Sequence, residues 1–319
     1  MRSGGTRWAI IDGAAWIVIA VAGSLAVVQA FEWNVNAVTA TLQALTPYLG
    51  LLLVPVASWS LWRRSYGMTT VACAAGFGLL VLATPIVTDA ETVAVSDDAA
   101  RIRLASVNLL YGNDRVANVA AGLRSSSPDV IVFVEYTPEH QATLQSSELA
   151  SAYPHRIERP LPRAGGIAVW SRAPVEADDP LDTDLASIDA LLDTADGPVR
   201  IVAVHVPTPV FDFAAWRHDL RLIEGIGRTT DLPTVVVGDL NASYWHPAFR
   251  DLLDAGFVDA HIATGHGFAT SWPTNRPFPP FVQLDHALTT DGLAPLDVDN
   301  FDLPGSDHHG ILATLAVVS

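Results

Sequence analysis

The chain of 319 residues contains no lysine, so all 18 of its basic residues are arginine. It has a single cysteine, Cys73, which excludes an intrachain disulfide and leaves the fold to be stabilised by its core alone. It also lacks a Gly-x-Ser-x-Gly motif, a His-Glu-x-x-His motif and a phosphate-binding loop with lysine. These absences argue against the serine-hydrolase, zinc-protease and P-loop classes of active site.

Acidic residues predominate after residue 88. The chain has 34 acidic residues, and two of these, together with four of the arginines, precede residue 89. The remaining 32 acidic and 14 basic residues give a net charge of −18 with histidine neutral. Such a charge opposes tight, sequence-independent binding of nucleic acid, which depends on basic residues that neutralise phosphates.

Three long apolar runs occupy the first 88 residues, at about 14–31, 42–62 and 68–87. A helix needs roughly 20 apolar residues to cross the hydrocarbon core of a bilayer. The sequence therefore predicts three transmembrane helices, with the lipid bilayer as their partner and no protein partner. The alternatives are a buried helical hairpin in a soluble protein and, for the first run, a cleaved signal peptide.

The positions of the arginines predict the orientation of these helices. Arg2 and Arg7 precede the first run, and Arg63 and Arg64 lie between the second and the third. The loop that contains Glu32 has no basic residue. Because positively charged loops stay in the cytoplasm, we predict an integral protein of the cell membrane. Its N-terminus would be cytoplasmic and everything after residue 89 extracytoplasmic.

The pattern predicts three parts, namely a membrane anchor at 1–88, an acidic linker at 89–100 and an α/β domain at 101–319. Within the third part, runs rich in Val and Ile alternate with helical periodicity, which is typical of α/β folds. Strands are predicted at 102–108, 130–135, 167–170, 199–206, 234–239, 282–288 and 311–317. Helices are predicted at 114–125, 138–149, 213–228 and 247–255, and a solvent-facing hairpin or insert at 176–197.

Polar residues fall at the ends of four of the predicted strands. Asn108, Glu135, His205 and Asp239 each close an apolar run. Strand ends along one edge of a sheet are where α/β folds place their sites. A carboxylate is costly to bury there alone, but a divalent cation removes that cost.

Six short strings share an order and spacing with a known superfamily. They are ASVNLL at Asn108, VIVFVEYT at Glu135, VAVHVPT at His205, VVVGDLNAS at Asp239, VQLDHAL at Asp285 and SDHHG at residues 306–310. Together they resemble the endonuclease/exonuclease/phosphatase superfamily over about residues 101–318. The resemblance implies a four-layer α/β sandwich, with two packed central β-sheets flanked by helices, that hydrolyses phosphate esters with a divalent metal.

The resemblance also implies roles for eight residues. Glu135 and Asn108 would hold Mg²⁺, with Mn²⁺ or Ca²⁺ as alternatives, and Asp307 would be a further metal contact. Asp239 and Asn241 would hold the scissile phosphate and place the attacking water. His308, oriented by Asp285, and His205 would be the acid/base groups, and the sequence leaves open which histidine is the acid.

One position departs from the family pattern. Abasic-site endonucleases have an aspartate two residues after the first asparagine, whereas this chain has Leu110, which favours one metal over two. Trp245, His246 and Trp272 are predicted to face substrate. A membrane tether favours a lipid headgroup, a cell-envelope ester or a small metabolite as substrate, and nucleic acid remains the alternative. A different class of function is a catalytically inactive binding or scaffold protein with the same fold.

Overall fold

In the computed structural model, the described residues are 3–88, 95–96 and 98–318. Arg2 and most of the predicted linker at 89–100 lie outside them. The α-helices are α1 (Ser3–Ala30), α2 (Ala37–Ala44), α3 (Thr46–Trp62), α4 (Tyr66–Leu82), α5 (Thr84–Thr88), α6 (Val116–Ser126), α7 (Pro138–Gln145), α8 (Phe213–Thr229), α9 (Pro247–Asp254) and α10 (Ala260–Ala263). The strands are β1 (Arg101–Asn108), β2 (Val130–Val134), β3 (His155–Arg159), β4 (Ile167–Ser171), β5 (Val175–Ala177), β6 (Ile188–Thr194), β7 (Gly197–His205), β8 (Thr234–Asp239), β9 (Val258–Asp259), β10 (Asp285–Thr289), β11 (Leu293–Asp302) and β12 (His309–Val317).

The strands form two six-stranded mixed sheets. The first sheet has the order β11-β12-β1-β2-β4-β3, and the second has the order β5-β6-β7-β8-β10-β9. Each contains one parallel pair near its centre, β1 with β2 and β7 with β8. The other pairs are antiparallel. The carboxyl ends of the parallel strands therefore lie together at one edge of each sheet.

The core of the α/β part has three layers, one between the two sheets and one on the outer side of each sheet. Alternate residues of the central strands face different layers. In β8, Val235 and Val237 pack between the two sheets, whereas Val236 packs on the outer side with α8 and α9. In β2, Ile131 and Phe133 likewise face outward and pack with α6. Successive side chains of a strand point to opposite faces, so these purely apolar strands are covered on both sides. The prediction of two packed sheets flanked by helices is confirmed.

The N-terminal helices differ from the prediction of three transmembrane helices. One helix of the described part, α1, is long and apolar enough to cross a membrane alone, over Arg7–Ala30. The second apolar run is divided into α2 and α3, which meet at a bend of 64°, and α4 has only 17 residues. Proline cannot donate the backbone hydrogen bond that would continue a helix, and Pro47 and Pro85 are each the second residue of a new helix. The prediction of three uninterrupted spans is therefore wrong, and the count is one, or two if the bent pair forms one span.

The N-terminal helices pack against the α/β part. In α1, the amide of Gln29 donates to the carbonyl of Trp245 at 2.6 Å. In α3, the hydroxyl of Tyr48 donates to the carbonyl of Phe281 at 2.7 Å. Ile86 of α5 joins the core on the outer side of the second sheet. The helices are thus fixed to the same side of the protein as α9 and the segment that leads into β10.

A glycine in β8 permits the close approach of the two parallel strands beside Asp239. Gly238 has φ of +142°, and a Cβ there would overlap the carbonyl oxygen of Val204 in β7. We expect Gly238→Ala to lower stability by at least about 2 kcal/mol, because it combines a clash with a backbone conformation that alanine disfavours. In thermal unfolding this corresponds to a midpoint about 4 °C lower or more.

The matched control is Gly225→Ala in α8, where a Cβ has no neighbour within 4 Å. Alanine in a helix interior is favoured over glycine by about 1 kcal/mol, so this variant should be as stable as the parent or more stable. Equal midpoints for the two variants would contradict the role given to Gly238.

Candidate active site

Five of the predicted site residues meet at one edge of the two sheets. Asn108 ends β1 and Glu135 follows β2, and His205 and Asp239 end the parallel strands β7 and β8. Asp285 begins β10, which is antiparallel to β8, and pairs directly with Asp239. Because β10 starts where β8 ends, its first residue joins the carboxyl ends of the parallel strands.

Two carboxylates converge on one amide group. The Nδ2 atom of Asn108 donates to Asp239 Oδ2 at 3.0 Å and lies 3.3 Å from Glu135 Oε1. The other oxygen of Glu135 accepts from the backbone N–H of Tyr111 at 2.8 Å. Carboxylate and amide oxygens are the ligands that Mg²⁺ prefers, and a divalent cation would neutralise the two charges. The carboxylates of Glu135 and Asp239 therefore fit such an ion, while Asn108, whose amide nitrogen faces both, orients them.

His308 is held by contacts on two sides. Its Nδ1 atom lies 2.8 Å from Asp285 Oδ2, so the carboxylate fixes the orientation of the ring. Its backbone N–H donates to the hydroxyl of Ser306 at 3.0 Å, and that hydroxyl donates to the carbonyl of Asn108 at 2.7 Å. The loop before β12 is thereby tied to the end of β1. The other oxygen of Asp285 is buried, with no hydrogen-bond partner in the described part of the chain.

Two histidines flank the carboxylate of Asp239. The Nε2 atoms of His205 and His308 lie 3.8 Å and 3.7 Å from the same oxygen, Asp239 Oδ2. The Nδ1 atom of His205 lies 2.9 Å from the carbonyl of Ala164 and donates to it. A neutral His205 therefore presents its Nε2 lone pair towards Asp239. Asp239 therefore lies between His205, whose Nε2 atom can accept a proton, and His308, which is paired with Asp285.

Burial and charge shift the pKa values of the central pair. Burial raises the pKa of Asp239, and repulsion from Asp285 adds to this, while His308 and His205 oppose it. Burial lowers the pKa of His308, but the charges of Asp285 and Asp239 outweigh it and raise the value to about 10. His308 therefore carries a positive charge at neutral pH, which suits it to donate a proton.

Three residues of the site have a left-handed backbone although none is glycine. Leu110, Glu135 and Asn241 have φ values of 58°, 56° and 45°. Such conformations cost of order 1–3 kcal/mol each and persist where surrounding contacts enforce them. Asn241 is fixed by its backbone N–H, which donates to Asp239 Oδ1, and by its amide, which donates to the carbonyl of Val206, both at 2.9 Å. The strained turns direct side chains to the edge where the strands end.

The structure places Asp307 next to Trp272. The indole Nε1 of Trp272 donates to Asp307 Oδ2 at 3.3 Å, and no hydrogen bond among the described residues joins that carboxylate to the amide of Asn108. Both residues border the loop of His308. Trp272 therefore lies beside the site, where contact with substrate stays a prediction, and the carboxylate of Asp307 is directed to the indole.

Trp245 and His246 lie elsewhere, against the N-terminal helices. The Nε2 atom of His246 lies 3.1 Å from the carbonyl of Ala40, and the carbonyl of Trp245 accepts from Gln29. Only 2% of His246 and 9% of Trp245 is exposed. Burial lowers the pKa of His246 to about 4. Contact with the helices accounts for both residues without a role in binding substrate.

Several groups that support the site were not identified from the sequence. The backbone N–H of Tyr111 and the carbonyl of Ala164 contact Glu135 and His205, and the hydroxyl of Ser271 accepts from the backbone N–H of Asp285 at 3.3 Å. Backbone groups have no side-chain signature. Only Ser306, within the string SDHHG, stood next to a residue already singled out.

The comparisons with known proteins agree with this geometry. The model of the Endonuclease/Exonuclease/phosphatase family matches residues 105–308, which is more than half of the chain. The chain belongs to this family. The matched residues begin in β1 and end at His308, so they include all the strand ends described above. No curated protein sequence matches the chain.

Solved structures of other members share the fold. TDP2 from D. rerio, complexed with a single-strand DNA product, is 16% identical with a TM-score of 0.57 over 68% of this chain and 99% of that one. The 3′ phosphatase NExo from Neisseria, bound to a product DNA hairpin, is 19% identical with a TM-score of 0.53 over 66% and 98%. An AP endonuclease from Archaeoglobus fulgidus is 17% identical with a TM-score of 0.52 over 66% and 98%. At these identities the likeness establishes the fold alone.

Proposed function

We propose that the chain is a divalent-metal-dependent hydrolase of phosphate esters. The observation that carries the proposal is the convergence of two histidines on Asp239 Oδ2, beside the Glu135 and Asn108 pair. In-line attack of water on phosphorus needs a proton acceptor, a proton donor and positive charge near the phosphoryl oxygens. The site supplies a group for each of these needs.

The residues of the chain take distinct parts in the reaction. Glu135, with Asn108, would hold Mg²⁺, which stabilises charge that develops on the phosphoryl oxygens. Asp239 and Asn241 orient water and phosphate. His205, whose Nδ1–H is fixed by a backbone carbonyl, accepts the proton of the water at Nε2. His308, charged through its pairing with Asp285, donates a proton to the leaving oxygen from Nε2.

We further propose that the N-terminal helices anchor the enzyme in a membrane, with the catalytic part outside the cytoplasm. The rings of Trp8, Trp59 and Trp62 pack together at centroid distances of 5.2–5.8 Å, and the guanidinium of Arg63 lies 5.7 Å from the Trp8 ring. These residues lie at the ends of α1 and α3 opposite to Gln29 and Thr46, which approach the α/β part. Tryptophan is enriched at both membrane interfaces, and arginine is enriched on the cytoplasmic side, so Arg63 supports this orientation.

The exposed surface of the helices supports the same proposal. Large apolar side chains such as Ile17, Leu51, Phe77 and Leu80 are each about two-thirds exposed. Large apolar side chains exposed in this number indicate contact with a membrane or a partner. In a bilayer these side chains would face lipid, and the bend between α2 and α3 would lie near the surface beside the catalytic part.

A lipid phosphoester is the substrate that we favour. Trp272, which contacts Asp307, packs edge-on against Phe281 at 5.9 Å, and Phe281 packs against Tyr48 of α3 at 6.0 Å. These aromatic rings form a continuous path from the rim of the site to the membrane helices. Such a path would contact the apolar part of a lipid whose phosphate lies at His308.

The experiment that tests the function uses the full chain in detergent. Hydrolysis of plasmid DNA, a generic phosphodiester, a phosphomonoester and phospholipid vesicles is measured with Mg²⁺, Mn²⁺, Ca²⁺ or EDTA. We expect metal-dependent turnover, highest on the phospholipid. Activity that persists in EDTA, or no activity on any phosphoester, would refute the proposal. A preference for DNA would refute only the choice of lipid.

Glu135→Gln is expected to weaken the affinity of the active site for its metal ion selectively. The substitution keeps the size of the side chain but removes the charge, so the half-saturating Mg²⁺ concentration should rise by about tenfold or more. The measurement is initial rate against Mg²⁺ concentration. Glu139→Gln, in the first turn of α7 and fully exposed, is the matched control and should leave the curve unchanged. Identical curves for the two variants would contradict the role of Glu135.

A further inference from the structure

A second group of metal-ligand side chains lies outside the proposed catalytic residues. It consists of Asp259 at the end of β9, His261 in α10 and His286 in β10. Between 2% and 3% of each residue is exposed. One potential ligand atom from each residue lies within 4.8 Å of the other two. None of the three has a part in the proposed hydrolysis, so the group needs its own explanation.

The outer nitrogens of both histidine rings contact fixed oxygens. The Nε2 atom of His286 lies 3.0 Å from the carbonyl of Ala242, and that of His261 lies 2.9 Å from Asn300 Oδ1. Each ring is thereby set to donate from Nε2. The Nδ1 atom of His286 lies 2.6 Å from Asp259 Oδ2 and shares a proton with it, which a metal ion would displace, whereas the Nδ1 atom of His261 has no such partner among the described residues. Metal-binding histidines typically donate their second N–H to a carbonyl or carboxylate in this manner.

The orientation of Asn300 supports this assignment. Its Nδ2 atom donates to the carbonyl of Thr270 at 3.0 Å and to Gln283 Oε1 at 2.9 Å. Both amide hydrogens are then in use, and the oxygen is the atom that remains for His261. The amide nitrogen of Gln283 also lies 3.3 Å from His261 Nε2, but it donates to the carbonyl of Asp285 at 2.5 Å. The shorter contact with Asn300 therefore determines which nitrogen of His261 holds the proton.

The inner nitrogen of His261 is the unexplained atom of the group. Nδ1 is buried without a hydrogen-bond partner in the described part of the chain. The closest oxygen of Asp259 is 3.9 Å away, too far for a hydrogen bond. Buried polar nitrogens are nearly always paired, and an unpaired one is costly. A cation bound among the three residues would supply the missing partner.

The geometry suits a tetrahedral ion. Zinc binds nitrogen and oxygen ligands at about 2.0–2.2 Å, which places ligand atoms of a tetrahedron roughly 3.3 Å apart. The separation of Asp259 Oδ2 and His286 Nδ1 is 2.6 Å, and that of Asp259 Oδ1 and His261 Nδ1 is 3.9 Å. These values lie on either side of the expected one, so small side-chain rotations would bring the atoms to ligand positions. Two imidazoles favour zinc over magnesium.

A cavity of about 620 Å³ borders all three residues, and Leu53 of α3 and Leu79 of α4 also line it. We propose that Asp259, His261 and His286 bind one zinc ion, with the fourth position facing this cavity. The ion would link β9 and α10 to β10 one residue after Asp285, and so would fix the start of β10 beside the active site.

The proposal is tested by zinc binding to the full chain in detergent, in a Glu135→Gln background that weakens metal binding at the active site. After removal of metal with EDTA, Zn²⁺ is titrated against a chromogenic chelator, and thermal unfolding is followed with and without zinc. We expect tight binding of zinc and a higher unfolding midpoint in its presence. His261→Ala should weaken zinc affinity at least tenfold and abolish the rise in midpoint.

Two further variants distinguish a metal site from a metal-free ion pair. His266→Ala removes a nearby exposed histidine and should leave zinc affinity unchanged. Asn300→Ala keeps all three ligands but removes the acceptor for His261, and should weaken zinc affinity about tenfold. If His261→Ala does not fold, the visible absorption of Co²⁺ bound to the background protein decides, because four-coordinate Co²⁺ absorbs strongly. Equal zinc affinity in the His261 and His266 variants, or absence of four-coordinate Co²⁺, would overturn the proposal and leave an Asp259–His286 ion pair.

Discussion

Replacement of His308 by alanine is expected to lower kcat/KM for the phosphoester substrate by roughly 10²- to 10⁴-fold, the range that proton transfer by a positioned side chain contributes. Three contacts within the site hold His308 in place. Asp285 fixes its ring at 2.8 Å, Ser306 fixes its backbone, and Asp239 lies 3.7 Å from its Nε2 atom. The loss should appear mainly in kcat, because the proton is needed in the transition state.

The adjacent histidine provides a control at the same point of the chain. His309 lies on the other side of the strand, where its Nε2 atom is 3.1 Å from the exposed carboxylate of Asp302. We expect His309→Ala to retain kcat/KM within a few-fold of the parent, since an exposed ion pair contributes little. Steady-state kinetics of the two variants, with Mg²⁺ saturating, make the comparison. Similar losses in both would show that the effect comes from disturbance of β12 rather than from His308.

The strand ends of the site could be predicted because their sequence and their geometry are directly related. An apolar run followed by one polar residue is a buried strand that ends at a solvent-accessible edge, and parallel strands end on the same side. Asn108, Glu135, His205 and Asp239 follow this rule, and the structure brings them together. Asp285 was predicted within a strand at 282–288, but it begins β10, so this start of the strand was wrong. Its contact with His308 depends on the antiparallel pairing of β10 with β8.

The features that the sequence did not predict depend on contacts distant along the chain. The strand β3 has half-buried, charged residues and no apolar alternation, so its pairing with β4 is its main determinant. The strand β11 contains Pro295, three aspartates and a register shift, so the pattern of its ten residues is typical of a loop. The sequence also could not show that α2 contacts His246, which is more than 200 residues away. Propensity and local pattern contain no information on such contacts.

The apolar N-terminal runs show a different limit. Their composition was identified correctly, but composition alone does not reveal where a helix is interrupted. Thr46–Pro47 and Thr84–Pro85 each begin a new helix, so two of the runs are divided. The breaks lie at the end of the helical region that contacts the catalytic part, where Tyr48 and Ile86 make their contacts. The helix breaks therefore form part of the surface that contacts the α/β part, and they do not lie in the middle of the apolar helices.

Asp285→Asn is expected to change both the rate and its pH dependence. The carboxylate of Asp285 opposes the effect of burial and is the strongest of the charges that raise the pKa of His308 to about 10. Without that charge, burial prevails and the pKa of His308 falls, so the proton donor is lost at a lower pH. We expect kcat near neutral pH to fall by roughly 10²- to 10⁴-fold, as when the carboxylate that orients a catalytic histidine is removed.

The pH profile separates this role from a structural one. In the parent, kcat should persist on the alkaline side until His308 loses its proton near pH 10, whereas in Asp285→Asn the decline should begin at a markedly lower pH. The free energy of unfolding of the parent should also fall as the pH rises through this range. Because the folded-state pKa of His308 lies above the ordinary value of about 6.5, its contribution is complete below that pH and is lost as the pH rises towards 10. The variant should lack most of this alkaline loss in metal-free urea unfolding. Superimposable alkaline limbs in parent and variant would refute His308 as the proton donor, even if the variant were slow.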